Sequence, residues 1–342
     1  MNRFRQFALR RRHRRQWKRA IAAVRSIEQV SSRKLARADR AKADAYARDV
    51  LGSARYAAWL YVYTLIQGRF REGWIPDDFF GKVVVKRVNG DLRLVGDYKT
   101  LTHTILQTPA LPDIGYSLDG NLFDRQREPI SLPELVKIAG EHGDYAFLKA
   151  DSSLQGKAVA RVAVDHIDEA VLESMGNCVI QAPIRQHPSF AEFAEEAVAT
   201  LRVTTVRDGE GRISVRAAYL RLGRTGEGWV QSRSSVRVAV VGPDGELDEH
   251  GYTSEWRAWL SHPDTGVTFA KRRVPRYAEA LDLCCGLHRR VAQLAIVGWD
   301  VTIDLNEDVK LIEWNTNHSD IKFSEAVRGP CFSDLGWERL RL

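Results

Sequence analysis

Cysteine is scarce in this chain, with four among 342 residues. Cys178, Cys284, Cys285 and Cys331 show neither the spacing of a metal site nor that of a disulfide framework. Two of them, Cys284 and Cys285, are adjacent in a helix-like run. We therefore expect reduced cysteines in the core, which suits a cytoplasmic protein.

Long apolar runs are also missing. The most apolar window, AAWLYVYTLI (57–66), is too short to cross a bilayer. The basic stretch RRRHRRQWKR (10–19) precedes AIAAVRSIEQV, which Arg25 and Glu28 interrupt, so it does not resemble a secretory signal. We predict no membrane crossing.

Two kinds of catalytic motif are absent as well. The sequence contains no GxxxxGK[ST] phosphate-binding loop and no motif for a nucleophilic serine or cysteine. It also shows no internal repeats and no low-complexity tract. These absences argue against a P-loop nucleotidase and against an enzyme that works through a covalent serine or cysteine intermediate.

Positive charge is abundant at the start of the chain and scarce afterwards. Residues 1–40 hold 14 Lys and Arg against two acids, a net charge of +12, whereas the remainder holds 37 against 42, a net charge of −5. Phe4, Phe7 and Trp17 lie among these arginines. The basic arm is therefore either a solvated helical extension that packs on the body or on a second subunit, or a surface for an acidic partner or anionic membrane; we do not expect nucleic acid.

Periodicity predicts an α+β chain behind a helical N-terminal segment. Residues 1–66 read as helices, and KVVVKRVNGDLRLVGD (82–97) predicts a β-hairpin around Asn89-Gly90. Ser131, with Glu134 three residues later, predicts a capped helix. Further helices are predicted within 98–114, 166–176, 189–199 and 276–295, and strands at 145–150, 157–164, 177–184, 200–207, 213–223 and 236–249 with its turn.

The last predicted hairpin, 299–315, raises a chemical question. With a turn centred on Asn306-Glu307, Asp300 faces Glu313 directly, and Asn315 lies on the same face. Like charges placed opposite each other destabilise a sheet unless a cation lies between them. Such oxygen ligands suit Mg²⁺ or Mn²⁺. The alternative is that both acids lie on a solvated face.

Two basic residues point to phosphate. Lys149 ends an apolar strand and is followed by a loop with Ser152, Ser153 and Gly156, which could present backbone N–H groups to an anion. Arg202 interrupts the apolar alternation of TLRVTTV, where a buried guanidinium needs an anionic partner. That partner is either a structural acid or a nucleotide phosphate.

The order of these motifs resembles the ATP-grasp superfamily, in particular its sugar-transfer-associated branch. The likeness runs from about Val95 to Phe332. FLKADSSLQGKAV (147–159) resembles the phosphate-binding strand and lid loop, VIQAPIRQHPSF (179–190) the interdomain segment that holds adenine, and GWDVTIDLNEDVKLIEWN (298–315) the metal hairpin. The resemblance implies an α+β fold in which ATP lies between two antiparallel β-sheet lobes, preceded by the basic helical segment.

The resemblance also implies a domain layout and a role for each site residue. Residues 1–81 would be the basic helical segment, 82–143 a pre-ATP-grasp region, 144–185 the first lobe and 186–342 the second lobe with the metal hairpin. Lys149 and Arg202 would be catalytic. The nucleotide would be bound by Lys99, Lys149, Ser152, Ser153, Gly156, Gln181, Ala182 and Ile184. Mg²⁺ or Mn²⁺ would be bound by Asp300, Glu313 and Asn315.

The activity expected from this resemblance is that of a carboxylate–amine ligase that uses ATP and Mg²⁺ and forms an acyl phosphate. Its substrates would be small or sugar-linked acids and amines, in polysaccharide or other surface-polymer assembly. Two alternatives stay open at this point: a phosphotransferase acting on a hydroxyl group, and a non-catalytic nucleotide-binding adaptor that uses the basic arm. His318 could face the acceptor, whereas His187 is expected to be structural.

Overall fold

The computed structural model describes residues 3–151 and 159–342. The α-helices are α1 (Arg3–Val30), α2 (Arg37–Asp49), α3 (Ala57–Gln67), α4 (Asp77–Phe79), α5 (Val85–Val88), α6 (Thr102–Leu106), α7 (Leu132–His142), α8 (Glu169–Met175), α9 (Pro188–Ala191), α10 (Tyr277–Arg290) and α11 (Lys322–Arg328). The strands are β1 (Asp113–Leu118), β2 (Asn121–Asp124), β3 (Tyr145–Ala150), β4 (Val159–Ala163), β5 (Cys178–Gln181), β6 (Thr200–Arg207), β7 (Ile213–Leu222), β8 (Val236–Val240), β9 (Leu247–Tyr252), β10 (Ala258–Trp259), β11 (Ile296–Ile303) and β12 (Val309–Asn315).

The strands form two antiparallel sheets, which confirms the predicted α+β class. The first has the order β2-β1-β5-β3-β4 and the second the order β10-β9-β8-β7-β6-β11-β12. Strands β6 and β11, two neighbouring interior strands of the second sheet, are buried along nearly their whole length. Such strands need cover on both faces.

That cover comes from two directions. On one face, the helices α1, α2 and α3 share a core with Tyr219, Ala239 and Ile296 of the sheet. On the other face, α10 and the segment before β1 pack against the remaining strand side chains. Helix α3 is apolar all round because it lies between the other N-terminal helices and α11, and nearly all of its side chains are buried.

The first sheet has a smaller core of its own. Helices α7 and α8 cover one face through side chains such as Leu135, Ala139 and Leu172. Helix α7 begins at the predicted capping box: the Ser131 hydroxyl accepts from the backbone N–H of Glu134, and the Glu134 carboxylate accepts from that of Ser131.

The predicted hairpin at 82–97 is wrong, because this stretch is helical. A π-helical turn at Phe80–Val84 leads into α5, and a 3₁₀ helix follows at Gly90–Asp97. The Asn89 side chain explains the difference. Its Nδ2 donates to the carbonyls of Ile296 and Thr316, both at 2.8 Å, and its Oδ1 accepts from the N–H groups of Ala295 and Ile296. Asn89 thus clamps this segment to β11 and to the end of β12 instead of forming a turn.

Two predicted helices are shorter than expected. The helix at 189–199 is reduced to α9, after which the Gln186 amide donates to the carbonyls of Ala194 and Glu195 and holds the chain in turns. Helix α10 ends at Arg290 rather than 295, and the Arg290 guanidinium donates to the Gln107 carbonyl at 2.7 Å.

The segment between the two sheets is held at both ends. The Ala182 N–H donates to the Pro112 carbonyl at 2.8 Å, on the side of the first sheet. On the side of the second sheet, the Arg185 carbonyl accepts from Leu305 at 2.7 Å, and the His187 N–H donates to Ile303 at 2.9 Å. Among the described helices, none combines the length and apolar character that crossing a bilayer requires.

Candidate active site

The hairpin of β11 and β12 has the predicted register at its open end. Asp300 pairs with Glu313, and Gly298 pairs with Asn315. A bulge just beyond Asp300 shifts the pairing by one residue toward the turn. Trp299 and Trp314, one residue from the acids, point to the opposite face, where their rings stack at 6.0 Å between centroids.

Asp300 is paired with Arg202, from the neighbouring strand β6. Arg202 Nε donates to Oδ1 at 2.6 Å and Nη2 donates to Oδ2 at 2.8 Å, which is a two-point contact between buried groups. Burial alone would raise the pKa of Asp300, but the charge and hydrogen bonds of Arg202 outweigh it and lower that pKa. Arg202 therefore has the structural acid that the sequence left open as one of its two partners.

Further contacts fix this pair in place. Arg202 Nη1 donates to the Ser319 carbonyl at 2.9 Å, and Asn315 Nδ2 donates to Asp300 Oδ2 at 3.3 Å. Arg221, from β7, lies 3.8 Å from the same carboxylate. Asp300 thus lies among two guanidinium groups and an amide.

Glu313 is paired with Lys99, from the short helical turn at Lys99–Leu101. The Lys99 Nζ lies 2.6 Å from Glu313 Oε1. The Lys99 side chain is 10% exposed and that of Glu313 is 36% exposed, so the glutamate is the more accessible partner. The two opposed carboxylates of the hairpin are each neutralised by a different cation.

Lys149 joins the same hairpin from the first sheet. Its Nζ donates to the Ile312 carbonyl at 3.3 Å, next to Glu313. Burial lowers the pKa of the Lys149 ammonium, and the nearby Glu313 carboxylate partly opposes that shift. The end of β3 therefore brings a desolvated cation to the open end of β12.

The predicted adenine segment contains a polar contact that the sequence did not predict. Gln181 Nε2 donates to Asp113 Oδ1 at 2.7 Å, and the Tyr116 hydroxyl donates to Asp113 Oδ2 at 3.0 Å. Burial raises the pKa of Asp113. Ala182 and Ile184 follow as half-buried residues. Asp113 could have been found by the reasoning applied to Arg202, since it opens an otherwise apolar strand, DIGYSL.

A second unpredicted contact involves Asp151, which directly precedes Ser152 and Ser153 of the predicted phosphate-binding loop. Thr100 donates to the Asp151 carboxylate twice, from its N–H at 2.9 Å and from its hydroxyl at 2.7 Å. Asp151 directly follows β3, and Thr100 directly follows Lys99. Because Thr100 follows Lys99 and Asp151 is two residues after Lys149, this contact holds together the two segments that carry these lysines. Ser152, Ser153 and Gly156 lie outside the described residues.

The two histidines considered as bases are in different surroundings. His187 Nδ1 accepts from the Ser189 N–H and so caps α9, the structural role expected for it. His318 Nε2 lies 3.6 Å from Asp77 Oδ1, at the N-terminal helical segment.

The chemistry of the donor set decides whether a divalent metal fits here. The predicted ligands are oxygens only, which suits Mg²⁺. Glu313 is partly exposed. In Asn315 the side-chain nitrogen donates to Asp300, which leaves the side-chain oxygen available as a ligand. Asp300 is the exception, because both of its oxygens accept from Arg202. The set fits a hard cation at Glu313 and Asn315, whereas Asp300 already accepts from Arg202 on both oxygens and offers a cation only its remaining lone pairs.

Solved structures with detectable likeness are distant. They include an N5-carboxyaminoimidazole ribonucleotide synthetase in complex with ADP, 12% identical, covering 69% of this chain and 52% of that one, with a TM-score of 0.41. The ATP-grasp ligase PsnB with a minimal precursor is 12% identical, with 73% and 64% covered and a TM-score of 0.41. The biotin carboxylase domain of a Hydrogenobacter thermophilus 2-oxoglutarate carboxylase is 11% identical, with 82% and 57% covered and a TM-score of 0.41.

This chain spans about half the length of the synthetase. No curated protein matches the sequence. The sequence profile described as sugar-transfer associated ATP-grasp matches residues 140–334, which is more than half of the chain and includes the hairpin, Lys149 and Arg202. The chain therefore belongs to the sugar-transfer-associated ATP-grasp family.

Proposed function

We propose that this protein is an ATP- and Mg²⁺-dependent ligase that joins a carboxylate to an amine through an acyl phosphate. The observation that carries the proposal is the pair of opposed carboxylates, Asp300 and Glu313, each matched with a cation at the open end of one hairpin. Lys149 reaches the same point from the other sheet.

This arrangement matches the charge pattern of ATP with its metal. The nucleotide presents anionic phosphate oxygens and a divalent cation side by side. In our proposal Lys99, Lys149 and Arg202 bind the oxygens, while Glu313, Asn315 and Asp300 bind the cation. Lys99 and Arg202 would exchange their carboxylates for phosphate oxygens on binding, so that no carboxylate or cation is left unpaired. Gln181, Ala182 and Ile184 would contact adenine.

The reaction needs electrostatic help more than a nucleophilic side chain. An oxygen of the substrate carboxylate attacks the γ-phosphorus, the bond to the bridging oxygen breaks and ADP leaves. The amine nitrogen then attacks the carbonyl carbon of the acyl phosphate, inorganic phosphate leaves with the electron pair, and the nitrogen loses a proton. Lys149 and Arg202 would stabilise the charge on the transferring group. Mg²⁺ would neutralise charge on the β- and γ-oxygens.

The substrate class rests on the family. Its description as sugar-transfer associated supports a sugar-linked acid or amine in polysaccharide or surface-polymer assembly. Dependence on ATP, together with four free cysteines, supports a cytoplasmic location.

The test is Mg²⁺-dependent ADP formation across a panel of acid and amine pairs. We expect Glu313→Gln to abolish turnover, because it removes a charged metal ligand and keeps the shape. Glu307→Gln, the same change at an exposed position of the hairpin turn, should keep the wild-type rate.

The acceptor in the same assay separates the competing functions. ADP release that requires an amine supports the ligase. Release that requires an alcohol would instead identify a phosphotransferase, and nucleotide binding without turnover an adaptor. An unchanged rate in Glu313→Gln would remove the metal assignment.

A further inference from the structure

Three side chains that could bind a metal ion meet where the N-terminal helical segment contacts the loop after β12. Asp77 comes from α4, and His318 and Asp320 come from the loop. One potential ligand atom from each residue lies within 4.8 Å of the other two. Among the described residues, no other group of three His, Cys, Asp or Glu side chains meets in this way.

Asp77 carries an unmet bonding requirement. It is only 3% exposed, and within the described part of the chain its Oδ1 has no hydrogen-bond donor. That oxygen lies 3.6 Å from His318 Nε2, beyond hydrogen-bonding distance. A buried carboxylate oxygen without a donor costs free energy, on the order of 1–3 kcal/mol. A bound cation between Asp77 and His318 would satisfy both atoms.

The other contacts of the cluster orient its members. Gln16 Nε2 donates to the second oxygen of Asp77 at 3.4 Å. The Tyr219 hydroxyl donates to Asp320 Oδ2 at 3.1 Å. Ligands of metal ions commonly receive such supporting hydrogen bonds on the atom that does not face the ion.

The adjoining cavity decides between an ion and an organic substrate. Asp77, His318 and Gln16 line a cavity of about 30 Å³. A water molecule needs roughly 10–15 Å³ measured in this way, so the space suits one or two waters. Ligand pockets for organic molecules are typically about 300 Å³ or larger. The cavity is therefore too small for an acceptor substrate but large enough for the water ligands of an ion.

Two lysines, Lys82 and Lys86, also line the cavity, and Lys82 is close to a histidine. Lys82 Nζ lies 3.2 Å from His13 Nε2, and the other ring nitrogen of His13 lies 3.6 Å from Asp78. Lys322 lies 3.9 Å from Asp320. Across the cavity from Lys82, Asp77 and His318 face each other at 3.6 Å.

We propose that Asp77, His318 and Asp320 bind a divalent transition-metal ion, Zn²⁺ or Mn²⁺. One imidazole and two carboxylates are a donor set that such ions accept, and three protein ligands leave positions for water. The site is separate from the Mg²⁺ ligands proposed above, because Arg202 lies between them with one contact to Asp300 and another to Ser319. The ion would tie α4 to the loop whose Ser319 carbonyl positions Arg202.

The test measures metal content without nucleotide. The full-length protein is stripped with a chelator, dialysed against Zn²⁺ or Mn²⁺ and analysed by mass spectrometry, with titration calorimetry for affinity. We expect one tightly bound Zn²⁺ per chain in the wild type, and with Mn²⁺ one tightly bound ion in Glu313→Gln, in which the proposed hairpin site has lost a ligand. His318→Gln and Asp77→Asn should each weaken that binding at least about tenfold, since even supporting groups of metal ligands change affinity by about 10- to 100-fold.

Two matched variants serve as controls. His250→Gln alters a partly exposed histidine that also lies within 4.0 Å of two acids, Asp248 and Glu249, and it should bind the ion like the wild type. Glu313→Gln should also keep the ion. Failure of the wild type to retain an ion would overturn the proposal, as would unchanged affinity in His318→Gln, a variant expected to fold because this side chain is 43% exposed.

Discussion

At the scale of single residues, the contact with Arg202 compensates the charge of Asp300 in the β11–β12 hairpin. Two opposed carboxylates in one hairpin require compensation, and here each receives its own cation. The Arg202–Asp300 pair is buried on both sides, with side chains 5% and 6% exposed, whereas the Lys99–Glu313 pair is open on the glutamate side. Removing one partner of a buried pair leaves an uncompensated charge.

We therefore expect Arg202→Met to destabilise the fold by about 3–5 kcal/mol. Arg212→Met, which breaks the exposed contact of Arg212 with Asp208, should cost about 0–1 kcal/mol. Urea unfolding of both variants measures the difference. Equal costs for the two changes would show that the Asp300 charge is not dependent on Arg202.

At the scale of elements, Asn89 shows how one side chain can join three segments. All four of its contacts are to backbone groups, at the start of β11 and just after β12. It therefore fixes the helical stretch 80–97, and with it Lys99, against the hairpin. Aspartate has the same shape as this buried amide, but an ionised carboxylate only accepts hydrogen bonds and cannot replace its two donors.

Asn89→Asp should accordingly cost at least about 3 kcal/mol, because two carbonyls lose their donors and a charge is buried. Asn121→Asp makes the same change at an exposed position, the first residue of β2, and should stay within about 0.5 kcal/mol. Thermal or urea unfolding compares the two variants directly. A cost for Asn89→Asp as small as that of the control would contradict the clamp.

The two predicted hairpins, one right and one wrong, show what the sequence could supply. The 299–315 hairpin has alternating side chains along both strands, so its register follows from period two. The 82–97 stretch offered only a favourable Asn-Gly pair and a short apolar alternation. Its Val83 and Val84 are buried together with Phe79 and Phe80, which is a helical spacing. The contacts of Asn89 are more than 200 residues away in sequence, and no local pattern records them.

For the candidate site too, local patterns were predictable from the sequence and contacts between distant residues were not. Opposed acids and a lysine at a strand end were predictable because they are local features of one hairpin or one strand. The identity of each counter-charge was not, since Arg202, Lys99 and Asp113 find their partners across the fold. The sequence left the partner of Arg202 open, and only the pairing of β6 with β11 resolves it.

At the scale of the whole molecule, the two sheets meet at the site. Lys149 of the first sheet contacts the backbone of β12 in the second, and Asp151 contacts Thr100. A ligand that binds at this junction would hold both sheets together. Binding to the folded state alone stabilises it by about 2.7 kcal/mol when the ligand is at 100 times its Kd.

We expect MgATP at that concentration to raise the Tm by several degrees. Lys149→Met should lose most of this shift, because it removes the charge while keeping the length of the side chain. Lys137→Met, on the exposed side of α7, should retain it. Differential scanning fluorimetry gives both values. A full shift in Lys149→Met would exclude this lysine from the nucleotide site.

The double anchoring of the segment between the sheets has a mechanical consequence. Ala182 is hydrogen-bonded to Pro112, and Arg185 and His187 are hydrogen-bonded to Leu305 and Ile303 of the β11–β12 hairpin, so only Pro183 and Ile184 lie between the anchors. Any rocking of the first sheet over the second would have to pivot on these two residues. The hairpin turn is hydrogen-bonded on the second-sheet side of this pivot. Asp300 and Glu313 would therefore keep their positions while Lys149, in the first sheet, moves. Opening and closing would then change the distance between the Lys149 ammonium and the two carboxylates without moving the carboxylates relative to each other.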